Sequence, residues 1–232
     1  MTENEVALIV GAGMGLSASI ARLGKSKGMK IALAARNIDK LADLAKEIDA
    51  QTYNCDASQP NDVAAMFSGV TRDFGIPNLV VYNPSSRVRG PVTEIDPAEV
   101  QKAIMITCFG GFLVGQQAAK QMVKRGSGTI LFTGASASVK GYPNSSAFAM
   151  GKFGLRGLAQ AMARELHPKN IHIGHFIIDG AIGNADDPRA AGRDQDALLT
   201  ADSIAETYFH VHQQMRNAWT WEVELRPWVE TF

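Results

Sequence analysis

Short runs of unbroken apolar residues recur along the chain at Val6 to Val10, Ile31 to Ala35, Leu79 to Tyr82, Thr129 to Thr133 and Ile171 to Ile178, with a weaker one at Gln51 to Cys55. A run of this length with no polar alternation is the pattern of a strand buried on both faces. Between the runs, apolar residues return at helical spacing, which predicts helices over roughly 16–28, 38–49, 61–74, 97–124 and 146–167. A last helix near 201–216, with Thr200 as its N-cap, leads into Thr220 to Leu225. There Trp221, Val223 and Leu225 alternate with polar residues, as in an edge strand with one wet face. Strand and helix alternating over the whole length predict an α/β fold. Its expected form is a doubly wound, mainly parallel seven-stranded sheet flanked by helices.

Composition narrows the picture. The 232 residues are 46% hydrophobic, with 23 basic and 23 acidic side chains, and no linker, repeat or low-complexity tract divides them, so residues 1–232 are expected to form one domain. Zero net charge and no basic run exclude nucleic acid and anionic membrane surfaces as expected partners. No apolar stretch approaches the roughly 18 residues of a membrane span, and only Met1 to Glu5 precedes the first apolar run. Cys55 and Cys108 form neither a disulfide framework nor a CxxC pair. A cytoplasmic location is the expectation. The one long aperiodic stretch, Gly183 to Leu199, carries four Asp and two Arg and follows the sixth strand, where a lid over a ligand crevice would lie.

Glycine is enriched, at 22 residues, and its placement carries chemistry. The first strand runs straight into Gly11-Ala12-Gly13-Met14-Gly15-Leu16-Ser17, and Ile20 and Leu23 follow at helical spacing. Glycines there permit a sharp turn and let backbone N–H groups approach a pyrophosphate at the positive end of the next helix. The fold expected is therefore Rossmann-type, with Gly11, Gly13, Met14, Gly15 and Leu16 as the phosphate turn. An NAD site usually carries an acid at the end of the second strand, and so does an S-adenosylmethionine site. This chain has Ala34-Ala35-Arg36-Asn37 instead. An arginine with no carboxylate to repel a phosphate favours NADP(H).

In this order and spacing the motifs resemble the short-chain dehydrogenase/reductase family over nearly the whole chain. Gly11 and Gly15 match its glycine motif, with Ser17 in place of the third glycine. The resemblance implies that Asp56 and Ala57, in Cys55-Asp56-Ala57, meet the adenine. It also implies that Asn83 ends the fourth strand as in the family's Asn-Ala-Gly motif, here followed by Pro84 and Ser85. Gly180, in Asp179-Gly180, replaces the family's Pro-Gly beside the nicotinamide, with Ile182 adjoining, and Asn184 stands where a threonine often holds the carboxamide.

The catalytic positions depart from the family. Its tyrosine, four residues before a lysine on one helix face, corresponds here to Phe148 ahead of Lys152. Its substrate-orienting serine is Ala135, and its relay asparagine is Thr107. The resemblance assigns Lys152 to the nicotinamide ribose first and to residual electrostatic stabilisation second. Tyr142 and Ser136, in the loop before the Lys152 helix, are candidate substitutes for the missing acid. His172 and His175, three apart on a strand, point to opposite faces, and His210 and His212 do not share a helix face, so no metal is expected. Trp219, Trp221 and Trp228 either seal the core or anchor a subunit contact, and family members are commonly dimers or tetramers. The expectation is an NADP(H)-dependent oxidoreductase of a small carbonyl or alcohol with a degenerate active site. A cofactor-binding regulator without turnover is the rival, and an S-adenosylmethionine-dependent methyltransferase is a remote third.

Overall fold

The computed structural model describes residues 5–183, 186–192, 194 and 196–231. Seven parallel strands form one sheet: β1 (Val6–Val10), β2 (Lys30–Ala35), β3 (Gln51–Asn54), β4 (Leu79–Tyr82), β5 (Gly128–Thr133), β6 (Ile171–Ile178) and β7 (Glu222–Leu225). Their spatial order is β3-β2-β1-β4-β5-β6-β7, so the chain winds outward one way, returns beside β1, and winds outward the other way. The reversal between β1 and β4 opens a crevice at the carboxyl ends of those strands.

Helices cover both faces, which is why the strands read as continuous apolar runs. Val6, Leu8 and Val10 of β1 point to one layer. It is built on α3 (Pro60–Phe74), α5 (Gly110–Arg125) and α6 (Ser146–Leu166), through side chains such as Phe67, Val114 and Leu155. Ala7 and Ile9 point to the other layer, built on α1 (Leu16–Ser26), α2 (Ala42–Glu47) and α7 (Ala201–His212), through Ile20, Leu44 and Phe209. Thr200 caps α7, accepting the Ser203 N–H at 3.2 Å.

The single helix expected over 97–124 is two helices joined by a π-helical turn. These are α4 (Pro97–Ile104), the turn Met105–Phe109, and α5. At the turn, the Tyr82 hydroxyl donates to the carbonyl of Ile106. The whole run Pro97–Arg125 is long and apolar enough to resemble a membrane span by length and composition, which corrects the expectation that no such stretch exists. In this fold its apolar residues Leu113, Val114, Ala118 and Met122 serve the core. Trp219 stacks on His172 with 4.6 Å between ring centroids, and Trp221 packs against the α5–α6 layer, so both seal the end of the sheet. Trp228 stands 71% exposed.

Candidate active site

The turn after β1 is held by β2 and β4. The Gly11 and Ala12 N–H groups both donate to the Ala34 carbonyl at 2.9 Å. Gly11 has φ +77°, and a Cβ there would lie 2.6 Å from the Pro84 nitrogen, so only glycine fits. Ser17, at the position of the glycine motif's third glycine, braces the turn. It donates to the Gly11 carbonyl at 3.2 Å and accepts from the Asn83 amide at 2.8 Å. Gly15 caps α1 without any side-chain bond, and the first turn holds no acid, so the helix's positive end is left open to an anion. A Cβ at Gly13 or Gly15 would meet nothing within 4 Å, which places both on open space.

This turn is one wall of a cleft of about 710 Å³ at the switch point. Gly11, Gly13 and Met14 line it from β1, Arg36 from β2, Asp56 and Ala57 from β3, and Asn83 from β4. Lys40 lines it too, a residue that sequence reasoning missed. The lip that presents both cations is shaped locally: the Asn54 side chain donates to the Arg36 carbonyl at 2.8 Å, and the Asn37 side chain accepts the Asp39 N–H at 3.0 Å. Asp56 is the carboxylate among the lining residues. Burial pushes its pKa up, but hydrogen bonds from the Ser58 N–H (2.9 Å) and hydroxyl (2.7 Å), aided by Arg36 and Lys102, outweigh this and hold it below the usual value. The open helix end and the glycine faces fit the pyrophosphate of a dinucleotide, and Arg36 and Lys40 add positive charge to the same cleft.

Lys152 does not line this cleft; it is 2% exposed on α6, and its Nζ donates to the Thr133 carbonyl at 2.6 Å. Burial first, and the nearby Arg87 cation second, lower its pKa to about 7. Phe148 is 8% exposed one turn earlier, with the Lys152 Nζ 5.9 Å from its ring centroid. Ala135 is buried with Phe148. Thr107, fully buried in the π-helical turn, accepts the Ser86 N–H at 3.0 Å and so anchors the loop after β4. Gly151 lets α6 close on that turn, since a Cβ there would come within 2.9 Å of the Thr107 Cβ.

The structure does not bring the two candidate acids to the lysine by any hydrogen bond among the described residues. Tyr142 is 45% exposed, and Ser136 is half-buried, its carbonyl taking the N–H groups of Val139 and Lys140. Gly180 abuts Pro227, 2.7 Å from where its Cβ would be. Ile182 pairs with Leu199, closing the base of the 183–199 segment, which contains a short 3₁₀ turn at Pro188–Ala190. Asn184 lies outside the described residues.

Near Lys152, the buried Ser138 and His175 form a chain with the half-buried Glu222. The Ser138 Oγ is 3.4 Å from His175 Nε2, and His175 Nδ1 is 3.0 Å from Glu222, which Arg156 holds at 2.6 and 2.8 Å. Ser138 is fully buried, and burial lowers the His175 pKa to about 4 despite Glu222. This chain braces the Ala135 loop, because the Ser138 hydroxyl accepts the Ala135 N–H at 3.1 Å. Among the described residues, no three His, Cys, Asp or Glu side chains converge as metal ligands.

The profile of the family described as short chain dehydrogenase matches residues 5–182. A short-chain dehydrogenase/reductase of Armillaria gallica is 30% identical over 184 residues, covering 76% of this chain and 70% of that protein. Among solved structures, a short-chain dehydrogenase from Rhodopseudomonas palustris superposes with a TM-score of 0.84 at 33% identity, covering 98% of this chain and all of that one. A metagenomic short-chain oxidoreductase in complex with NADP superposes with a TM-score of 0.83 at 26% identity, covering 96% and 97% of the two chains.

Proposed function

The chain belongs to the short-chain dehydrogenase family of oxidoreductases, and from that premise we propose that it uses NADP(H) on a small carbonyl or alcohol, through an active site that lacks the usual proton donor. The observation that carries the cofactor preference is the cleft lip, where Arg36 and Lys40 stand together and the acid that would grip an NAD ribose is replaced. The amides at the start of α1 take the pyrophosphate, and Asp56 and Ala57 face the adenine. Asn83, Gly180, Ile182 and Lys152 serve the nicotinamide half. A nicotinamide group bound there supplies or accepts the hydride.

The remaining chemistry belongs to the chain. Phe148 has no ionisable proton, and Ala135 has no hydroxyl, so the proton that the substrate oxygen gains or loses is exchanged with water. Lys152 holds ribose hydroxyls and adds a positive field at the substrate oxygen. A positioned acid is worth roughly 10²- to 10⁴-fold, so turnover is slower than in a complete site by that order and is not abolished. The exposed Phe112, Met150 and Phe153 of α5 and α6 provide an apolar face for a second copy of the chain.

Fluorescence titration of Arg36→Ala and Lys40→Ala tests the cofactor assignment. A charged hydrogen bond contributes about 1.5–3 kcal/mol. Because both residues are solvent-exposed, the low end applies, and each change is expected to weaken NADPH roughly tenfold while leaving NADH nearly unchanged. Tighter NADH than NADPH binding by the unmodified protein refutes the assignment.

A further inference from the structure

Where the family's tyrosine hydroxyl is absent, a cation is present. The Arg87 guanidinium lies over the Phe148 ring with its central carbon 4.2 Å from the ring centroid. Its loop is pinned on both sides, by the Ser86 N–H on Thr107 at 3.0 Å and by the Gly90 N–H on the Asn144 carbonyl at 3.2 Å. Arg87 makes no hydrogen bond or ion pair among the described residues. The charges it meets are cationic: Arg89 acts on Arg87, and Arg87 acts on Lys152. Arg87 and Arg89 are both exposed, and among the described residues no carboxylate pairs with Arg87, so solvent alone balances its charge beside Phe148.

The cofactor cleft does not account for this charge. Its lining ends at Ser85 on this loop, and Arg87 lies two residues further, on the Lys152–Phe148 side. Stacking on Phe148 uses one face of the guanidinium and leaves its N–H edge free, and that edge matches a planar two-oxygen acceptor. We propose that Arg87, seated on Phe148, binds a carboxylate of the substrate, so that the compound oxidised or reduced is an oxo or hydroxy acid. This rests on the oxidoreductase reading above and names its substrate class. Arg87 carries no transferable proton at neutral pH, so it positions the substrate and is not the missing acid.

The test is binding. Carboxylates from propanoate to 3-phenylpropanoate, each paired with its neutral amide, are titrated into the protein with and without NADPH, read by nucleotide fluorescence and by thermal shift. Each carboxylate is expected to bind at least roughly tenfold more tightly than its amide. Arg87→Gln is expected to erase that preference with NADPH affinity unchanged, and Arg87→Lys to retain part of it. Equal binding of acid and amide, no binding of any carboxylate, or an unchanged preference in Arg87→Gln overturns the proposal. So does a loss of NADPH affinity in that variant, which would assign Arg87 to the cofactor. Failure of the unmodified protein to bind NADPH removes the oxidoreductase reading, while the thermal shift without nucleotide still decides whether Arg87 holds a carboxylate.

Discussion

Lys152 offers the sharpest quantitative test, because its ammonium is buried and the Arg87 cation adds to the cost of keeping it charged. Its pKa falls from 10.5 to about 7, by burial first and Arg87 second. Between those values the unfolded chain carries a proton on this lysine that the folded chain has released. Unfolding therefore takes up a proton there, and the fold gains stability as pH rises from about 7 toward 10.5, by up to ~1.4 kcal/mol per pH unit. From pH 7, where the folded-state lysine is half neutral, to pH 9, the gain is about 2 kcal/mol. Lys152→Met keeps an unbranched side chain one heavy atom shorter and removes the titration. Urea unfolding of both proteins at the two pH values isolates the effect, since all other titrating groups cancel in the difference. With a slope of roughly 3 kcal/mol per molar urea, the original protein is expected to gain roughly 0.7 M in midpoint on the variant. A difference that stays flat from pH 7 to 9 refutes the claim that this lysine sits dry beside a second cation.

Two other changes probe the site separately. Phe148→Tyr places a phenol four residues before Lys152 and, on the proposed function, is expected to raise steady-state NADPH oxidation roughly 10²- to 10⁴-fold; a gain below tenfold shows that a phenol at this position does not serve as the proton donor. Gly11→Ala forces a side chain into φ +77° and against Pro84, and should destabilise the fold by about 2 kcal/mol or more while weakening NADPH, read by urea unfolding and fluorescence titration.

Much of this was legible because the signals are local. Five apolar runs buried on both faces, and a glycine turn directly after the first, specify the sheet and its phosphate end from neighbouring residues alone. Arg36 was legible for the same reason, sitting where β2 ends. Lys40 was missed because its place on the lip depends on the Asn37 turn, which brings it beside Arg36. Helical periodicity runs smoothly through 97–124 and gives no sign of the π-helical turn, because Tyr82 reaches in from a distant strand. Arg87 was invisible as well: nothing in Ser85-Ser86-Arg87-Val88-Arg89 announces that its guanidinium folds onto Phe148, 61 residues later. The same holds for Ser138, His175 and Glu222, which the order of β5, β6 and β7 brings together.

On the function proposed above, the site transfers hydride with Phe148 standing four residues before Lys152. Protein mixed with one equivalent of NADPH, then exposed to a panel of aldehydes, ketones and oxo acids, is followed by the nucleotide's near-ultraviolet absorbance over many hours. Slow loss of that absorbance with matching alcohol product, beyond the rate without protein, is the result predicted. NADPH that is demonstrably bound, yet stays reduced with every carbonyl in the panel, would contradict the account and leave a protein that holds its cofactor without using it.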